Sequence, residues 1–185
     1  MTLQEYIASL RGKTVAVIGI GVSNTPLLRL LLREGIAVTA CDRSDRAKLG
    51  ALAEELEAAG AVLRLGDGYL QDLDQDVIFR TPGLRPDVPE LEAARARGSV
   101  ITSEMEVFFQ VCPCKTIAVT GSDGKTTTTT IIAELLKAAG QSVYVGGNIG
   151  KPLLPDVDGM VPEDVAVLEL SSFQLMTMEQ SPDIA

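Results

Sequence analysis

The stretch from Thr116 to Gly140, TIAVTGSDGKTTTTTIIAELLKAAG, constrains this chain more than any other. A short apolar strand, Thr116–Val119, breaks into a glycine-framed loop of Gly121, Ser122, Asp123 and Gly124. A helix then starts at Lys125-Thr126 and runs to Gly140. Such a loop aims several backbone N–H groups at one spot. The helix dipole adds partial positive charge there, and Lys125 adds a full one. A lysine in the first turn opposes the dipole unless an anion offsets it. The pattern predicts a polyphosphate site over Gly121, Ser122, Asp123, Gly124, Lys125, Thr126 and Thr127, with the Thr126 hydroxyl offered to a magnesium ion. The spacing is G-x-x-G-K-T, tighter than the common G-x-x-x-x-G-K-[ST], because Val119 stands where the longer loop has its first glycine. The competing reading is a tight turn before an ordinary helix.

Around this stretch, strands alternate with helices. Thr14–Ile18 is nearly all β-branched and apolar, so it reads as a fully buried strand. Pro26 suits the first turn of a helix reaching Arg33, capped by Asn24 or Thr25. Ala37–Ala40 is a second strand, and Ala47–Ala59 a single helix stopped by Gly60. Strands at Val62–Leu65, Asp76–Phe79 and Val100–Ile101 follow, with helices at Pro89–Arg97 and Glu104–Val111, the last opened by Ser103-x-x-Glu106. After the Thr116–Gly140 unit come a strand at Val143–Val145, a glycine-rich loop at Gly146–Gly150 and a strand at Val165–Leu168 ending on Glu169. This rhythm predicts an α/β chain. A Rossmann-like parallel-sheet domain over 1–111 is joined by a 112–115 linker to an incomplete P-loop-type α/β ATPase domain over 116–185.

Gly19-x-Gly21 after the first strand opens a dinucleotide fingerprint, with Asp42 where a ribose-binding acid is expected. The third glycine position is Asn24, so NAD stays one option beside a broader nucleotide crevice. In that crevice Val22 and Ser23 lie near phosphates and Asp42 near a sugar or base. Asp42 could equally cap a turn. Val165–Glu169 delivers a carboxylate at the end of an apolar strand, suited to hold magnesium beside the phosphate loop. Arg80 and Arg85 read as solvated loop charges, and Ser171-Ser172 as a cap for a helix with Phe173 in the core. Of the threonines 126–130, only the first two have an assigned purpose.

The net charge of −9 argues against nucleic acid as a partner. The longest aliphatic run, Leu27–Leu32, is broken by Arg29 and too short for a bilayer, so no membrane insertion is expected. Three cysteines form no even framework and fit a reducing cytoplasm. With no histidine in the chain, Cys112-Pro113-Cys114 lacks the ligands for zinc, and histidine-based catalysis is excluded.

Three motifs stand together: GSDGKTT (121–127), GGNIG (146–150) and LELSSFQL (168–175). The set resembles the Mur ligase family, closest to its D-glutamate-adding branch, and GIGVSN, CDR and TPG (81–83) in the first unit extend the resemblance. The phosphate loop is shared across that family and with folylpolyglutamate synthases. The resemblance implies an ATP-dependent amide ligase of peptidoglycan synthesis that joins D-glutamate to UDP-N-acetylmuramoyl-L-alanine through an acyl phosphate. It implies catalytic roles for Lys125 on the β- and γ-phosphates and for Glu169, with Thr126 and Glu169 on magnesium. Asn148, Ser171, Ser172 and Gln174 would border the muramoyl substrate, and Val22, Ser23, Asp42, Arg43 and Gly83 would receive the UDP moiety. Asp123 departs from the asparagine many relatives carry, and Asn24 from a small residue near the UDP phosphates. The family pattern continues past Ala185 with a histidine-bearing metal motif, a carbamylated lysine and a closing domain. The chain is therefore expected to be unable to turn over alone, and the full-length protein is expected to be a monomer. A non-catalytic nucleotide-binding module is the other function class.

Overall fold

The computed structural model describes residues 1–185. The chain divides into two compact units, one spanning Gln4–Glu104 and the other Met105–Ala185 together with Met1–Leu3. No helix is long and apolar enough to cross a membrane.

The first unit follows α1 (Leu3–Leu10) with β1 (Val15–Ile18), α2 (Thr25–Arg33), β2 (Val38–Asp42), α3 (Arg46–Leu49) and α4 (Ala51–Ala58). Then come β3 (Val62–Leu65), β4 (Val77–Phe79), α5 (Pro89–Ala96) and β5 (Val100–Thr102). The five strands form one parallel sheet in the order β3-β2-β1-β4-β5. The chain begins at the centre, steps outward through β2 and β3, and returns to lay β4 and β5 on the other side. Strand order therefore reverses between β1 and β4, and crevices for ligands open outside the carboxyl ends at such a reversal. Strand β1 is buried along its whole length, as its uniform apolar sequence predicts. Ala16, Ile18, Cys41, Ile78, Leu91 and Ala94 share one core cluster.

The single helix expected over Ala47–Ala59 is two. Gly50 adopts φ +54°, which no helix continues, and the Asp45 carboxylate caps α3 by accepting from the Lys48 N–H at 2.8 Å. Arg80 also differs from expectation: it is 1% exposed, and its Nη1 donates to the Leu84 carbonyl at 2.7 Å. The loop after β4 folds over it, and the guanidinium ties that loop down. Arg85 is exposed and pairs with Asp87 at 2.6 Å.

The second unit comprises α6 (Glu104–Val111), β6 (Lys115–Val119), α7 (Lys125–Ala138), β7 (Val143–Gly147), a 3₁₀ turn at Leu154–Gly159, β8 (Val165–Glu169) and α8 (Ser172–Leu175). Its strands are parallel in the order β6-β8-β7. Strand β8 is central and buried at every residue. Helix α7 packs Ala133 against Val165 and Val167. Strand β7 runs two residues past the expected end, so Gly146 and Gly147 belong to the sheet.

One device recurs in both units. Thr14 donates its N–H and its hydroxyl to Asp76 Oδ2 at 2.7 and 2.8 Å, and the Asp76 N–H donates back to Thr14 Oγ1 at 2.9 Å. Thr116 and Asp183 repeat the pattern at 2.7, 2.8 and 3.1 Å. Each time the residue after the aspartate, Val77 or Ile184, donates to the threonine carbonyl at 3.1 Å. Ile184 thereby forms a parallel bridge with Ile117 on the open side of β6.

Candidate functional site

Helix α7 begins on Gly124 at φ +74°, and a glycine cap has no side chain to satisfy the first-turn N–H groups. Gly121, at φ +143°, turns the chain out of β6. Ser122 and Asp123 are exposed between them, so the Asp123 charge faces solvent. The Lys125 ammonium folds back over the loop and donates to the carbonyls of Gly121 at 2.9 Å and Ser122 at 3.2 Å. Thr127 is exposed on the first turn.

Glu169 lies at the carboxyl end of β8 and is 2% exposed. A buried carboxylate requires donors, and it has two. The Thr126 hydroxyl donates to Oε2 at 2.6 Å, and Asn148 Nδ2 donates to Oε1 at 3.0 Å. The Asn148 N–H also donates to the Glu169 carbonyl at 2.7 Å. Glu169, Thr126 and Asn148 thus come from β8, α7 and the β7 loop onto one point. The oxygens gathered there, the Glu169 carboxylate and the Thr126 hydroxyl, are hard ligands, which fit magnesium and not a soft metal.

The GGNIG segment has a steric reason for its glycines. A Cβ on Gly147, at φ +95°, would stand 2.2 Å from the Glu169 carbonyl oxygen, and one on Gly146 would stand 2.5 Å from Leu153 Cγ. Only bare backbone lets Asn148 reach the strand end.

Ser171, Ser172 and Gln174 follow Glu169 directly. Ser171 and Gln174 form a closed capping box: the Ser171 N–H donates to Gln174 Oε1 at 2.8 Å, and the Gln174 N–H donates to Ser171 Oγ at 3.3 Å. Both side chains are therefore engaged locally, while Ser172 is exposed. Phe173, expected in the core, is 43% exposed. The threonine run, opaque in sequence, is partly explained. Thr129 is fully buried and donates to the Lys125 carbonyl at 2.8 Å, and Thr130 donates to that of Thr126 at 2.8 Å.

In the first unit, Asp42 sits at the end of β2 with both oxygens engaged. Oδ2 accepts from the Ile20 N–H at 2.5 Å and Oδ1 from the Ser44 N–H at 2.7 Å. The carboxylate therefore clamps the loops after β1 and β2, the turn-capping role anticipated as an alternative. Gly19, at φ +94°, brings the β1 end so close to β4 that a Cβ would lie 3.0 Å from Thr81 Cβ. Asn24 is 1% exposed and donates to the Ile18 carbonyl at 2.9 Å, so it plugs the end of β1. Val22, at 81% exposure, Arg43 and Gly83 lie open on the loops after β1, β2 and β4, with Ser23 half-buried beside them.

Residues 119–185 match the family described as the Mur ligase middle domain. The chain is 54% identical over 174 residues to a UDP-N-acetylmuramoylalanine–D-glutamate ligase of Clostridium botulinum, covering 94% of this chain and 38% of that protein. It is 50% identical over 184 residues to the ligase of the same name from Acetivibrio thermocellus, covering 99% and 40%. A solved UDP-N-acetylmuramate-alanine ligase from Thermotoga maritima aligns over 86% of this chain and 37% of its own, with a TM-score of 0.47 and 23% identity. The chain spans about two fifths of the length of the curated relatives it matches. Residues 119–185 belong to the Mur ligase middle-domain family, and the likeness to Mur ligases runs through the rest of the chain.

Proposed function

We propose that this chain carries the nucleotide-binding and phosphoryl-transfer elements of an ATP-dependent, cytoplasmic ligase that joins D-glutamate to UDP-N-acetylmuramoyl-L-alanine. The observation that supports this best is the convergence of Thr126 and Asn148 on the buried Glu169 carboxylate beside the Gly121–Gly124 loop. Identity of 50–54% to ligases with that name, over nearly the whole chain, supports the choice of substrates.

In this reading the open N–H groups of α7 and the loop receive the triphosphate. Lys125 exchanges its two loop carbonyls for β- and γ-phosphate oxygens. Thr126 Oγ1 and Glu169 would hold magnesium, which neutralises phosphate charge when bound. Asn148 keeps Glu169 in one orientation. A substrate carboxylate oxygen bonds to the γ-phosphorus as the bond to ADP breaks, giving an acyl phosphate. The amine of D-glutamate then attacks the acyl carbon and phosphate leaves. The chemistry asks the protein for alignment and charge compensation, which this residue set supplies without a nucleophilic side chain. In the first unit, Val22, Ser23, Arg43 and Gly83 line the proposed UDP crevice, and Asp42 shapes it through the two backbone N–H groups it holds.

Calorimetric titration of the chain with Mg-ATP, in parallel with Lys125→Ala, tests the reading. A hydrogen bond from a charged group contributes about 1.5–3 kcal/mol, so the variant should bind about 10–150-fold more weakly. Equal binding by both proteins would overturn the assignment of the loop.

A further inference from the structure

The Cys112-Pro113-Cys114 segment between α6 and β6 has no part in the proposed ligase chemistry, yet its two thiols face each other. Cys112 Sγ lies 3.4 Å from Cys114 Sγ and 3.6 Å from the Cys114 carbonyl oxygen. A disulfide bond is about 2.05 Å long, so closure requires the sulfurs to move together by about 1.4 Å, within reach of small side-chain rotations. Pro113 fixes the backbone torsion between them and lowers the entropy lost on closing so small a ring. The two residues differ in access: Cys112 is partly exposed, whereas Cys114 is 6% exposed. That asymmetry suits a pair in which one thiol meets the reagent and the other resolves the adduct.

We propose that Cys112 and Cys114 form a reversible dithiol–disulfide site immediately before β6, with low-molecular-weight disulfides as its oxidant. The Cys112 thiolate attacks one sulfur of the small disulfide and expels one thiolate. The Cys114 thiolate then attacks Cys112 Sγ in the mixed disulfide and expels the second. The two cysteine protons end on the two released thiols, so the protein pair is oxidised as the small disulfide is reduced. Closure ties the end of α6 to the residue preceding β6, the strand that leads into the Gly121–Gly124 loop. Burial raises both thiols, Cys114 to about 12, which keeps them protonated and makes exchange slow at neutral pH. The remaining cysteine, Cys41, is fully buried with its thiol pushed up to about 11, and provides an internal unreactive control.

The test is intact-mass and peptide analysis of the whole chain after incubation with oxidised glutathione in mildly alkaline buffer. The expected product has lost the mass of two hydrogen atoms, carries a Cys112–Cys114 link and a free Cys41, and regains both thiols with dithiothreitol. Cys114→Ser should instead stop at a glutathione adduct on Cys112. Wild-type protein that accumulates the same adduct without closing, links between chains, or keeps both thiols overturns the proposal. If Cys114→Ser fails to fold, by circular dichroism, the wild-type mass decides alone.

Discussion

Replacing Gly147 by alanine should be far more costly than the same change at Gly140, although both glycines have similar positive φ, +95° and +86°. Both variants incur the left-handed penalty for an L side chain, about 1–2 kcal/mol. At Gly140 nothing lies within 4 Å of the new Cβ, so that penalty is nearly the whole effect. At Gly147 the Cβ would stand 2.2 Å from the Glu169 carbonyl oxygen and 3.0 Å from its carbonyl carbon, both backbone atoms of the central strand. Backbone cannot rotate away as a side chain can. The strands must separate, adding about 1–3 kcal/mol of packing loss. The Asn148 N–H bond to the Glu169 carbonyl, 2.7 Å long, is lost with them, at about 1 kcal/mol. The sum is about 3–6 kcal/mol at Gly147 against about 1–2 at Gly140. In urea, with a slope of about 2 kcal/mol/M, Gly147→Ala should lower the midpoint of the second unit by about 1.5–3 M and Gly140→Ala by under about 1 M. Circular dichroism follows the transition, and hydrogen exchange of β7 and β8 amides assigns it to this sheet. Equal midpoint shifts for the two variants would refute the backbone-contact argument.

Thr126→Val removes the donor 2.6 Å from a carboxylate that is 2% exposed, so it should cost about 1–2 kcal/mol of stability and abolish magnesium-dependent ATP binding. Thr126→Ser should retain both, as read by unfolding and calorimetry. In acid, the donors from Thr14 and Thr116 hold the Asp76 and Asp183 carboxyls below the usual carboxylate range. Their stabilisation is therefore complete above the unfolded value of about 3.9 and fades as pH falls through the lower folded values. Asp183→Asn should flatten that acid dependence for the second unit, measured as the unfolding midpoint against pH, and an unchanged profile would exclude the carboxylate as its source.

Much of the fold was legible because its signals are local. Val15–Ile18 and Val165–Leu168 are uninterrupted apolar runs, and each is buried throughout. The glycine loop, Lys125 and Thr126 occupy the strand–loop–helix positions that their order predicts. The grouping of Glu169, Thr126 and Asn148 was readable as chemistry but not as geometry. Nothing in GGNIG alone shows that Gly147 exists to let one backbone lie against another. Arg80 was misread because a charge beside Thr81-Pro82-Gly83 looks solvated, and only the tertiary path of the following loop buries it. The break at Gly50 was missed because the residues on both sides are good helix formers, so helical propensity hides a glycine committed to positive φ. No sequence signal announces the 3₁₀ turn at Leu154–Gly159: Pro155 suggests irregular chain, whereas Leu154 and Val157 are core residues.

The paired threonine–aspartate clamp solves a problem that parallel sheets create for themselves. Strand β1 is apolar on both faces, so sliding a neighbour by one residue exchanges one greasy face for another and carries little hydrophobic penalty. Alternation, which aligns half-exposed strands, has almost no vote here. Three hydrogen bonds between Thr14 and Asp76, placed just ahead of the β1–β4 ladder, supply what the faces lack: a one-residue slip breaks all three. Alignment of β4 is thus encoded by two polar residues at its threshold, and the same pair of residue types, Thr116 and Asp183, sets Ile184 opposite Ile117 beside β6.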